Sequence, residues 1–169
     1  WDPMHLVCPA GSPPALKAAI DHGADAVHVG FRDQTNARAF PGLNFTEPDL
    51  LSGIAYAHGR GRKIYVALNT YPGPAKLGAW QAAVDRAAAL GVDAVICADM
   101  GVLDYAARRH PGLSRHLSVQ GSATTHAALR YYVERFGIMR AVLPRVLSIQ
   151  QVERLCVQQI VPIEVFAFG

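Results

Sequence analysis

Residues 93–120 read DAVICADMGVLDYAARRHPGLSRHLSVQ. A short apolar run, Asp93–Ala98, gives way to a polar turn and a helix-like stretch, and a second short run, His116–Gln120, follows. The same unit recurs on both sides. The remaining runs are His5–Pro9, Ala24–Gly30, Lys63–Asn69, Met139–Leu143 and Pro162–Phe168, which makes seven candidate strands. The last four begin at positions 93, 116, 139 and 162, a constant step of 23 residues. Regular strand–helix spacing of this kind marks repeated βα units.

The helices between the runs have legible ends. Ser12-Pro13-Pro14 offers a cap followed by proline in the first turn. Leu16, Ala19 and Ile20 keep helical spacing until Gly23. Thr46-Glu47-Pro48-Asp49 places acids at a positive helix start. Ser148-Ile149-Gln150-Gln151 has the form of a capping box, and Ile149, Val152, Leu155 and Cys156 then form one apolar stripe. One connection is long, polar and rich in turn residues, from Phe31 to Asn44, as functional loops often are.

Alternating βα units imply a parallel sheet, open or closed. The turn Pro9-Ala10-Gly11-Ser12 after the first run is no dinucleotide loop. Polar residues recur at the C-terminal ends of successive strands, as in a (β/α) barrel. The expected fold is therefore α/β, a TIM-type barrel left incomplete after seven strands. It occupies residues 4–169 as one domain, with residues 1–3 read as a vector remnant. A full barrel takes about 250 residues, so the chain is expected to be the N-terminal part of a longer protein.

Composition narrows the function. The 169 residues are 51% hydrophobic and 17% charged, which excludes a disordered chain. No apolar run is long enough for a transmembrane helix. Three widely spaced cysteines, Cys8, Cys97 and Cys156, suit a reducing cytoplasm better than a disulfide framework. The net charge of +3 is spread evenly, without the basic stripe of a nucleic-acid binder, so no nucleic-acid partner is expected. C-x-x-C, H-E-x-x-H, P-loop and G-x-S-x-G motifs are absent.

Candidate site residues follow from strand position. Asn69, Asp99, Gln120 and Arg145 fall at the C-terminal ends of parallel strands, the mouth of a barrel. Their ordinary alternative is to cap helices and satisfy loop backbone. Asn36 and Arg38 lie in the long loop, where an arginine fork suits a carboxylate or phosphate. Glu164 sits within the last run between Ile163 and Val165; a buried carboxylate needs a partner, and Arg145 is the expected one. Asp99 and Glu164 are the catalytic candidates; Asn36, Arg38, Asn69, Gln120 and Arg145 are the substrate-binding ones. Cys97 and Cys156 read as small packed residues, and His28 as a packed core or rim histidine.

Several stretches together resemble the collagenase-like U-type peptidase family. They are Leu6-Val7-Cys8-Pro9-Ala10-Gly11, Thr35-Asn36-Ala37-Arg38, Gly42-Leu43-Asn44-Phe45-Thr46, Ser118-Val119-Gln120, Leu143-Pro144-Arg145-Val146-Leu147-Ser148 and Glu164-Val165-Phe166-Ala167-Phe168-Gly169. The last matches the first half of the family signature, E-x-F-x-x-G. The order and spacing look most like the ubiquinone-biosynthesis (UbiU-like) branch. That resemblance implies an oxygen-independent hydroxylase acting with a UbiV-like sister subunit on a ubiquinone precursor. It also implies a 4Fe-4S cluster held by cysteines beyond Gly169, so this chain is expected to bind no cluster and no metal of its own. Sister branches hydroxylate RNA bases with prephenate as hydroxyl source, and such a dicarboxylate would suit Arg38 or Arg145. The other readings open at this point are an RNA-base hydroxylase, a peptidase and a non-enzymatic partner-binding scaffold.

Overall fold

The computed structural model describes residues 3–168. Trp1 and Asp2 of the expected vector remnant, and Gly169 of the signature match, lie outside them. Seven strands form one sheet in chain order: β1 (Val7–Pro9), β2 (Ala26–Val29), β3 (Lys63–Leu68), β4 (Ala94–Cys97), β5 (Ser114–Leu117), β6 (Arg140–Val142) and β7 (Ile163–Glu164). Every neighbouring pair is parallel. The crossovers are α1 (Pro13–Asp21), α2 (Glu47–His58), α3 (Leu77–Leu90), α4 (Met100–Arg109), α5 (His126–Phe136) and α6 (Ile149–Val157). This is the expected incomplete TIM-type barrel: a curved half-barrel of seven βα strands, with β1 and β7 at its edges.

The caps form as the sequence implies. Ser12 accepts from the Ala15 N–H and Thr46 from the Asp49 N–H. Ser148 and Gln151 complete the reciprocal capping box. Alternation along the strands sorts the side chains onto two faces. Val27, Val29, Ile64, Val66, Leu68, Val95, Cys97, Leu117 and Ala141 belong to the large core under the helices, with Leu16, Leu50, Trp80, Leu103 and Leu129. The other face carries Ala26, Tyr65, Ala94 and Ile96 as a second, small apolar group. It also carries the polar side chains that matter below. Among the described residues no helix is long and apolar enough to cross a membrane.

Three boundaries depart from the sequence reading. β5 begins at Ser114, two residues before the apolar run, because Arg115 belongs to it. The Arg115 guanidinium is buried yet bonded: Nε donates to the Phe136 carbonyl at 2.8 Å and Nη1 to the Leu113 carbonyl at 2.8 Å. A cation at the C-terminal end of α5 also meets its negative dipole end. β5 then ends at Leu117, because the Ser118 hydroxyl accepts the Gln120 N–H at 3.2 Å and starts a 3₁₀ turn over Val119–Gly121. Gln120 therefore lies in a turn, not on a strand face. β7 is only two residues long, and Phe168 is 98% exposed.

Candidate functional site

The long connection between β2 and α2 closes on itself through Phe31 and Phe45, which form a parallel bridge and are both buried. Inside it, Asn36 and Asn44 form a buried pair. Asn36 Nδ2 donates to Asn44 Oδ1 at 3.0 Å, and Asn36 Oδ1 accepts the Arg38 N–H at 3.1 Å. Asn44 sits at φ 76°, a left-handed conformation that asparagine tolerates better than most residues, and its Nδ2 donates to the Arg38 carbonyl at 2.8 Å. A Cβ on Gly30 would stand 1.8 Å from Asn36 Nδ2, so the glycine leaves room for the amide. Arg86 of α3 clamps the loop from the side. It donates to Asp33 at 2.8 Å, and its guanidinium carbon lies 4.4 Å from the Phe31 ring centre. The bond to Arg86 and those from Thr35 hold the Asp33 carboxyl below its usual range against the opposing effect of burial.

The other rim candidates divide by what their side chains already do. Asn69 Oδ1 accepts the Ala37 N–H at 2.9 Å, fastening the long loop to the end of β3. Asp99 Oδ1 accepts the Val102 N–H at 3.0 Å and caps α4. Asn36, Asn69 and Asp99 thus hold loops and helix ends. Arg38, Gln120 and Arg145 are exposed at the rim. Arg38 gives the loop its backbone N–H and carbonyl, and its charge acts on His28. The Arg145 guanidinium carbon stands 4.2 Å from the Phe166 ring centre.

Glu164 faces the concave side of the half-barrel, partly buried rather than buried as expected, and its partner differs. Arg140 Nη1 lies 3.5 Å from Glu164 Oε2 and 3.5 Å from the Tyr65 hydroxyl. Val142 is in register with Glu164, so Arg140, two residues earlier on β6, shares the inward face. Arg145 has already left the strand. Burial raises the Glu164 carboxyl above its ordinary value, with Arg140 opposing. Tyr65 meets His116 edge-on, ring centres 4.7 Å apart. The His116 imidazole is pushed down to about 4, by burial first and then by Arg140 and Lys63, and its Nδ1 has no hydrogen-bond partner among the described residues. His28, half-buried at the end of β2, is likewise pushed down to about 4 by burial and then by the charge of Arg38.

Tyr65, His116, Arg140 and His28 therefore join the concave face beside Glu164, although the sequence candidates did not include them. Their signal was faint: polar or aromatic residues at alternating positions in otherwise apolar runs. At neutral pH the arrangement presents two neutral imidazoles inside and two exposed guanidiniums, Arg38 and Arg145, at the rim. It can bind an anion and hold a proton acceptor nearby.

The three cysteines do not fit an iron–sulfur cluster. Cys8 lies on β1, Cys97 is buried on β4 and Cys156 is exposed on α6. Burial pushes the Cys97 thiol up to about 12, the reverse of what a thiolate ligand or nucleophile needs. Among the described residues no group of three His, Cys, Asp or Glu side chains is placed to hold a metal ion.

Comparison with known proteins places this geometry. The chain is 36% identical over 152 residues to an uncharacterized protease of Methanocaldococcus jannaschii, covering 90% of this chain and 36% of that protein. It is 33% identical over 172 residues to tRNA hydroxylation protein P of Escherichia coli, covering 97% of this chain and 36% of that protein. The chain thus spans about a third of the length of these curated relatives. The solved structure of a U32 peptidase superposes with a TM-score of 0.79 at 19% identity, over 96% of this chain and 68% of that one. These matches carry the wider family and leave the ubiquinone branch without support. The model of peptidase family U32 matches residues 11–169, the long loop, the concave face and the rim included, and the chain belongs to that family.

Proposed function

We propose that this chain is the barrel portion of a hydroxylase that modifies bases of RNA. The observation that carries the reading is the 33% identity, along 97% of the chain, to a protein named for tRNA hydroxylation; the same name recurs among further bacterial relatives. An RNA substrate replaces the ubiquinone precursor as the leading expectation, and the even spread of a +3 charge is no bar to it.

Replacing a ring C–H by C–OH is a two-electron oxidation, so a hydroxyl donor or an oxidant must be bound alongside the base. Arg38 and Arg145, exposed at the rim, suit a dicarboxylate donor of the prephenate kind. Any 4Fe-4S cluster would be held by residues other than the three cysteines of this chain. A UbiV-like sister subunit remains a feature of the ubiquinone reading alone. The peptidase reading has a relative's name in its favour, but Cys97 is inert and no nucleophile–base pair stands at the rim among the described residues.

The test is deletion of the gene in its native host, with mass spectrometry of nucleosides from tRNA and rRNA. We expect one hydroxylated nucleoside to disappear, to return with the wild-type gene, and to stay absent with an Arg38→Met, Arg145→Met double variant. An unchanged nucleoside profile, with loss of a quinone hydroxylation instead, would overturn the RNA reading and restore the ubiquinone one.

A further inference from the structure

Three consecutive residues leaving the end of β3 each reach a different neighbour. Asn69 accepts the Ala37 N–H. The Thr70 hydroxyl donates to the Gln34 carbonyl at 2.6 Å. The Tyr71 hydroxyl donates to the Gln120 carbonyl at 2.7 Å. The first two fasten the long loop. The third runs the other way, to the 3₁₀ turn after β5. Because β4 lies between β3 and β5 in the sheet, Tyr71 spans the C-terminal end of β4, where Asp99 caps α4. The backbone beneath it is held as well, since Trp80 Nε1 donates to the Thr70 carbonyl at 3.1 Å.

Tyr71 is nevertheless 56% exposed. An aromatic ring in water that is tethered at its backbone and at its hydroxyl loses little freedom when something packs on it. Holding the two loops together requires only the hydroxyl bond; it does not require an open ring at the mouth. Gln120, whose backbone carbonyl is the anchor, is itself an exposed polar residue. A fixed, exposed aromatic surface with a polar neighbour is the arrangement on which planar bases stack.

We propose that Tyr71 is the stacking surface for the substrate ring, a nucleobase of single-stranded RNA. The inference rests on the RNA reading above and adds the residue that contacts the base. The hydroxyl bond positions the ring, and the ring binds.

The test compares Tyr71→Phe and Tyr71→Leu in the full-length protein. The probe is total tRNA from a host lacking the gene, with KM, kcat and thermal midpoint read for each variant. Tyr71→Phe keeps the ring and loses the tether; its KM should stay within about threefold of wild type. Tyr71→Leu loses the ring; its KM should rise about tenfold or more, with a thermal midpoint no lower than that of Tyr71→Phe. Equal KM values for the two variants would reduce Tyr71 to a tether and overturn the proposal. A wild-type protein that leaves the tRNA unmodified would overturn the RNA reading, and the proposal with it. Hydroxylation by wild type that is unaltered in Tyr71→Leu would overturn the stacking role alone.

Discussion

His116 and Leu117 are neighbours on β5 and opposites in setting. Leu117 points under the helices and packs in the continuous apolar core. His116 points into the concave face, against Tyr65, with an Nδ1 unpartnered among the described residues, and burial first, then Arg140 and Lys63, keep it neutral. Both are buried, at 0% and 5% exposure. Burial on the helix side is what holds the fold together. Burial on the concave side confines polar groups that an apolar core would have no use for. The difference separates residues kept for folding from residues free to serve a site.

Leu117→Ala tests the first half of that contrast and should have the largest effect. It should destabilise the chain by about 2–5 kcal/mol in urea unfolding, through lost burial and a cavity between β5 and the helices. His116→Leu, at equal burial, should stay within about 1.5 kcal/mol of wild type at neutral pH, because it removes an unsatisfied polar atom and keeps most of the volume. Comparable losses for the two variants would break the distinction between the faces.

Gly30→Ala sharpens it at the end of β2. The new methyl would collide with the buried Asn36 amide, a short side chain tied to Asn44 and unable to swing clear. We expect about 1–3 kcal/mol of destabilisation, with protease cleavage appearing within residues 31–46 before the rest of the chain is cut. Cleavage spread evenly over the chain would show that the loop is not held by the asparagine pair.

The smallest effect is a change of slope with pH. His116 and His28 are held at about 4 in the fold, against 6.5 when free. As pH falls, the unfolded chain takes up these protons first, so stability is full above about 6.5 and declines toward about 4. Glu164, with its raised carboxyl, acts in the opposite sense: the fold is favoured as that group protonates and disfavoured as pH rises through its folded value. Asp33, held low, loses its contribution only as pH falls below the ordinary aspartate value of 3.8. Urea midpoints between pH 7 and pH 4.5 should therefore decline less steeply in His116→Leu than in wild type. Parallel slopes would mean that His116 titrates normally and is not enclosed.

Most of the architecture was legible in residue order. Seven apolar runs, the last four 23 residues apart, with helix-like stretches between them, allow little besides a parallel sheet with helices packed on it. Ser12, Thr46 and the Ser148–Gln151 box marked helix starts because capping is local chemistry, settled within four residues. The strand ends were less legible. The expected run began at His116, yet Arg115 before it lies within the strand because carbonyls of Leu113 and Phe136 satisfy its guanidinium. Gln120 looked like a strand residue, yet the Ser118 hydroxyl turns the chain before it.

The rim showed the same division. Sequence alone placed Asn69, Asp99, Gln120 and Arg145 around one mouth, because polar residues after parallel strands must gather there, and put Asn36 and Arg38 in the long loop. It could not show which of them have side chains to spare. Asn36, Asn69 and Asp99 are engaged with backbone or with Asn44, while Arg38, Gln120 and Arg145 stand open. Likewise, the apolar neighbours of Glu164 pointed to a buried carboxylate where the fold makes it partly buried, and its pairing with Arg140 depended on inter-strand register. Periodicity and capping act over a few residues and are written in the chain. Pairing across strands, the tether from Tyr71 to Gln120 and the neutral state of His116 join residues dozens of positions apart, and only the folded sheet brings them within reach.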